Sequence, residues 1–225
     1  MGRIILLCAC VGVWLCACHS STDSSLQTQQ VSKDSVQITK LPAAYQNHKF
    51  DPDAPPPTMP PLHPGEAAVC DADFIARSSV GGQTRRTDST HAILTITKVL
   101  MTLQLQTNIW VPTDAPQTIA DHEEGHREIA EYTYQTANQI AQRIASSYIG
   151  KRVDVTGDDL DVASNQKLLE IATEITNAYT TQINNSPTQL LYDQITDHSR
   201  NGVIAKDAVD HAIKNAAVEA APAGN

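Results

Sequence analysis

Aromatic residues make up only 4% of this 225-residue chain, and they form no cluster interleaved with basic side chains. That scarcity gives little support to a carbohydrate-binding or hydrophobic-ligand module and removes the stacking platforms that single-stranded nucleic acid uses. Positive charge is also short. Lys and Arg number 16 against 25 Asp and Glu, a formal net charge of −9, with no basic patch to neutralise phosphates, so nucleic-acid binding is disfavoured. Cysteine is nearly confined to the N-terminus: Cys8, Cys10, Cys16 and Cys18 precede a lone Cys70. If the first three leave with a leader and Cys18 carries lipid, no intramolecular disulfide can form, even in an oxidising compartment. Cys70 is then a buried small hydrophobe, with zinc ligation the alternative.

Apolar runs long enough to cross a bilayer are missing as well. Residues 4–15, behind Arg3, suit the core of a signal peptide. The run ends in Leu15-Cys16-Ala17-Cys18, which resembles a bacterial lipobox with small Ala17 before the acceptor Cys18. The expectation is a signal peptide over 1–17, lipidation at Cys18, and anchoring to the outer membrane facing the periplasm, since His19 stands where an Asp would favour inner-membrane retention. An ordinary cleaved secretory signal is the alternative. Residues 18–66, rich in Ser, Thr, Gln, Asp and Pro, read as a disordered tether, with polyproline II over 51–64.

What is present is concentrated at His122-Glu123-Glu124-Gly125-His126, a complete H-E-x-x-H. With 8 His and 8 Glu, a random chain of this composition would hold the pattern roughly 0.01 times. On a helix both imidazoles share one face and can bind one zinc, while Glu123 faces the water that completes the metal's shell. At about 100° per residue, His122 and His126 fall with Ile119, Ile129, Ala130, Thr133, Ala137, Ile140, Ile144 and Tyr148 on the buried stripe, and Asp121, Glu124, Glu128 and Glu131 fall largely outside it. Two satisfied core histidines would be the bland alternative.

A catalytic zinc needs a third protein ligand. Ile129 and Tyr132 occupy the positions where a metzincin requires Gly and His, so that ligand comes from elsewhere. Glu170 and Glu174 fall well off the apolar face of their helix and read as solvated, although a Glu on the helix after H-E-x-x-H ligates zinc in thermolysin-like enzymes. Ser186-Pro187-Thr188-Gln189 reads as a capping box opening a further helix. If that helix continues, His198 lies near the centre of its buried face with Leu190, Leu191 and Ile195, making it the best-placed third ligand. His211 reads as exposed.

The run HEEGHREIAEYT, followed by Tyr192-Asp193-Gln194-Ile195-Thr196-Asp197-His198, resembles the bacterial family known as domain of unknown function 922, whose members are described as predicted secreted zinc-dependent proteases. The second motif of that family reads roughly Tyr-Asp-x-x-Thr-x-His-Gly. The chain matches it at Tyr192, Asp193, Thr196 and His198 and departs at Ser199, where Gly is usual. The resemblance covers about residues 68–215 and implies a zincin-like fold without supplying a substrate.

The expected architecture is α+β: a zincin-like domain over 67–217, with a small sheet, an active-site helix from about 114 or 118 to 148, two or three further helices, and a disordered tail over 218–225. Residues 69–79 and 90–111 read as two or three strands, with Ile93, Thr95, Thr97, Val99, Met101 and Leu103 on one face. Residues 104–111 are the expected edge strand beside the metal. The function that follows is a zinc metallopeptidase acting on a peptide or protein substrate. His122, His126 and His198 hold zinc, Glu123 is the general base, and Tyr192 or Thr196 stabilises the oxyanion. The alternative is a non-catalytic envelope lipoprotein, a scaffold or partner-binding module, with a structural zinc.

Overall fold

A computed structural model of the chain describes residues 35–62 and 65–219. The expected signal peptide, the Cys18 acceptor and the last six residues lie outside that range. The described chain is mixed α/β, with five strands and five helices in the order β1 (Val36–Lys40), β2 (Ala44–Phe50), β3 (Val69–Arg86), β4 (His91–Pro112), α1 (Gln117–Gln135), α2 (Ala137–Tyr148), β5 (Arg152–Thr156), α3 (Leu160–Gln182), α4 (Ser186–Thr196) and α5 (Ala205–Glu219).

The spine is β4. One edge of it carries β3 as a long antiparallel hairpin, from Val69 opposite Trp110 to Arg86 opposite Ala92. The other edge is occupied in succession by β5 opposite 91–95, β1 opposite 99–103 and β2 opposite 106–112. Side chains on β4 alternate between buried and partly solvated, as a sheet with one packed face requires. The phase of that alternation changes once. Ala92, Leu94 and Ile96 are buried, and so are Val99, Met101, Leu103 and Leu105. Between the two runs a bulge sets Gly81 opposite Lys98 and Gly82 opposite Ile96, leaving Thr97 as the extra residue. Strict alternation through Thr97 would put Leu94 and Val99 on opposite faces; the bulge brings both into one core. A Cβ on Gly82 would stand 2.7 Å from Leu94 Cδ1 and 2.9 Å from the Thr95 carbonyl, so the bulge admits only glycine there.

The tether expected over 18–66 is corrected over 36–50, where β1 and β2 form; residues 18–34 lie outside the described range. These strands are polar enough to read as linker, yet Val36 and Ile38 pack against the core and Phe50 is buried. His48 on β2 stacks on Trp110 of β4 with ring centroids 4.0 Å apart. Main-chain pairing holds strands with little apolar content once a neighbour such as β4 is fixed. The proline-rich stretch after β2 is not a straight polyproline rod. Ala54 N–H bonds the Asp51 carbonyl and Met59 N–H bonds the Pro56 carbonyl, closing two turns. Residues 104–111 are likewise not an edge, since β2 and β3 pair with both sides of 106–110. Among the described residues, the edge beside α1 that pairs with no further strand belongs to β3.

Helices cover the packed face of the sheet. Tyr134, Ala137, Ala141 and Ile144 from α1 and α2, with Ile171, Ile175 and Tyr179 from α3, close the main core. The expected single helix to Tyr148 is broken at Thr136, which caps α1 and precedes α2. A second cluster joins Ile129 of α1 to Tyr192 of α4 and to Ala208, Val209 and Ala212 of α5. Through it α4 is pressed against the middle of α1. No helix among the described residues is long and apolar enough to cross a membrane.

Candidate metal centre

His122 and His126 lie one turn apart on the buried face of α1, with Nε2 atoms 3.2 Å apart and ring planes at 87°. Asp193 of α4 comes to the same point: its Oδ1 lies 3.3 Å from His122 Nε2 and 3.0 Å from His126 Nε2. These three atoms form a near-equilateral triangle. Ligands about 2.0 to 2.1 Å from one tetrahedral ion stand about 3.3 Å from one another, so the triangle has the dimensions of one face of such a shell. Asp193 Oδ1 is buried, and among the described residues no donor is well aligned on it, although both imidazoles approach it closely. Three ligand atoms at mutual distances of 3.0 to 3.3 Å, one of them a buried carboxylate oxygen with no aligned donor among the described residues, form the arrangement that a cation site requires. His122, His126 and Asp193 therefore form a group that could hold a metal ion.

Electrostatics support the anion in this group. Burial opposes ionisation of Asp193, but the adjacent imidazoles of His122 and His126 outweigh it and hold the carboxyl far below the usual carboxylate range. The same carboxylate, over the opposing effect of burial, raises the His126 pKa.

Glu123 is 5% exposed. Burial pushes its pKa from 4.5 up to about 7, with Glu66 and Asp193 adding to the rise, while His126 and the backbone N–H of Cys70 oppose it. A buried carboxyl poised near neutrality beside paired imidazoles is suited to proton transfer. Both groups line a cleft of about 310 Å³ walled by Cys70 and Ala72 of the β3 edge on one side and by Gln189 and Asp193 of α4 on the other.

His198 is not on a helix: α4 ends at Thr196, and Asp197, His198 and Ser199 have φ of 46°, 50° and 69°. That left-handed turn swings the ring toward the site, where His198 Nδ1 lies 3.6 Å from Asp193 Oδ1, but the side chain stays 35% exposed and outside the triangle. Position 199, where the resembling family usually has Gly, adopts the backbone that glycine favours.

Tyr192 is fully buried, and its hydroxyl donates to the His122 carbonyl at 3.0 Å while its ring stacks on that of His122 at 4.9 Å. Its hydroxyl is committed, and burial pushes its pKa up, so the expected oxyanion role is corrected to one of support. Thr196 donates to the Tyr192 carbonyl and is similarly occupied. Glu170 and Glu174 are exposed on α3, the first paired with Lys167. His211 is exposed. Cys70 packs beside Ala68, Ile109 and Val111, and burial raises its thiol pKa.

Sequence reasoning missed Asp193 as a donor, although it stands inside the second motif, and it missed Gln189. The capping box expected at 186–189 does not form: the Gln189 amide turns instead to His126. Comparison with family models, curated proteins and solved structures gives no match to this chain.

Proposed function

We propose that this protein is a zinc-dependent peptidase with a zincin-like active-site helix. The observation that carries the reading is the His122, His126 and Asp193 triangle, with the shape of a tetrahedral face, whose two imidazoles share α1 with the buried Glu123 carboxyl of pKa about 7. The donor set of two imidazoles and one carboxylate is common to catalytic zinc sites, which keep a fourth position for water. A bound Zn²⁺ would supply Lewis acidity, lowering the pKa of water and polarising a substrate carbonyl. The chain supplies the rest. Glu123 accepts a proton from the attacking water and returns it to the departing amine, a transfer for which a pKa near 7 is well matched. Tyr192 fixes the backbone at His122. The resemblance to the domain of unknown function 922 family, and a lipid-anchored place in the cell envelope, belong to the same reading.

The second reading is a structural metal site. His198 favours it, because a small swing of its ring would add a fourth donor and close the site. The test is zinc content and hydrolysis of a mixed peptide library by wild type and Glu123→Gln. The peptidase reading expects near-stoichiometric zinc in both proteins and turnover reduced about 10²- to 10⁴-fold in the variant. Stoichiometric zinc with no turnover in the wild type would favour the structural site, and no zinc in either protein would reject both.

A further inference from the structure

α4 turns Gln189, Tyr192 and Asp193, spaced i, i+3 and i+4, toward α1. Asp193 belongs to the metal group and Tyr192 is bonded to the His122 carbonyl. Gln189 contacts His126 twice: its Oε1 lies 2.6 Å from His126 Nδ1, and its Nε2 donates to the His126 backbone carbonyl at 3.0 Å. The backbone carbonyl can only accept, so the amide NH₂ must face it and the amide oxygen must face the ring. An amide oxygen also only accepts, so Nδ1 carries a proton. In the neutral ring Nε2 is then left with its lone pair toward His122 Nε2 and Asp193 Oδ1.

His122 has no equivalent partner among the described residues, where its buried Nδ1 makes no hydrogen bond. Its ring is set by stacking on Tyr192 instead. One imidazole of the pair is thus fixed by packing and the other by a two-point clamp.

We propose that Gln189 is the positioning residue of this metal site, fixing both the tautomer and the orientation of His126 so that Nε2 faces the ion. The proposal rests on the metal-site reading above. A glutamate at 189 would keep the acceptor for Nδ1–H but set a carboxylate oxygen against the His126 carbonyl, so the donor half of the clamp is what selects Gln over Glu. Outer-shell partners of this kind orient a ligating imidazole and raise its basicity.

The test uses the full-length protein and the variants Gln189→Met, which removes both contacts at similar side-chain length, and Gln189→Glu, which keeps one. Nitrogen-15 NMR of the metal-free protein, at a pH where His126 is neutral, should find a single Nδ1–H tautomer in the wild type and in Gln189→Glu, and a mixture in Gln189→Met. Zinc affinity should fall about 10- to 100-fold in Gln189→Met and less in Gln189→Glu, with an altered cobalt(II) absorption spectrum in Gln189→Met. A role confined to packing would lower the melting temperature and leave the tautomer alone. An unchanged tautomer in Gln189→Met, or zinc affinity within twofold of wild type, would overturn the proposal. If the wild type binds neither zinc nor cobalt, it is the metal reading that falls, and the tautomer comparison still decides whether Gln189 sets the ring.

Discussion

Gly125 lies directly beneath the hydroxyl of Tyr192: a Cβ at position 125 would stand 2.2 Å from the tyrosine oxygen and 2.5 Å from its Cζ. The glycine inside H-E-E-G-H is therefore not a neutral spacer. It is the notch that lets α4 approach α1 closely enough for Asp193 to meet both imidazoles.

Gly125→Ala should accordingly separate the two helices even though alanine favours a helix. The buried tyrosine cannot move without disturbing the cluster of Ile129, Ala208 and Val209. We expect a loss of about 1 to 3 kcal/mol, the usual cost of overpacking, together with weakened zinc binding. Thermal unfolding and zinc titration of the variant check this; a melting temperature equal to or above wild type would contradict it.

Glu123 makes a prediction about pH. Its folded pKa is raised from 4.5 to about 7, so the folded state holds this proton more tightly than the unfolded chain. Its contribution is fully present below pH 4.5 and lost as pH rises through about 7. The stability of metal-free wild type relative to metal-free Glu123→Gln should therefore decline between pH 4.5 and 7 and level off above that window. Urea unfolding of both proteins across the range measures the difference directly, and a difference flat with pH would refute it.

Asp193 and His198 compete for the role of third donor, and substitution separates them. Asp193→Asn should weaken zinc binding by more than the roughly 10- to 100-fold typical of a lost outer-shell partner, because it removes the only anion in the triangle. His198→Ala should have the smaller effect. Competitive titration with a chelator provides the ranking, and the reverse order would reinstate His198 in the first place.

Membrane attachment through Cys18 is tested by fractionation. Cys18→Ala protein should leave the membrane fraction, since acyl chains contribute about 0.8 kcal/mol per buried CH₂. Unchanged partitioning would place the anchor elsewhere.

Periodicity made His122, Glu123 and His126 legible, because a long helix repeats its buried stripe often enough to show where each residue faces. The same method failed wherever one residue changed the phase. Thr97, inserted at the bulge, reversed the parity of β4, and Asp197, entering the left-handed region, ended the helix that would have carried His198 to a buried face. Asp193 left no periodic trace, since its position matters only through contact with a helix some 67 residues earlier. Gln189 was hidden by a local reading: a Gln three residues after a Ser fits a helix start as well as a reach across to another helix. β1 and β2 were missed because strands with exposed side chains look like linker.

The distance in sequence between His126 and Asp193 has a mechanical meaning. Cys70 is the one cysteine among the described residues, so no covalent cross-link ties these helices together. An ion gripped by His126 and Asp193 would staple the chain across a loop of 67 residues. Such an ion would bind the folded chain and leave the unfolded one, so it would stabilise the fold by mass action, by about 2.7 kcal/mol at a free concentration a hundred times its dissociation constant, and a chelator would withdraw that stability.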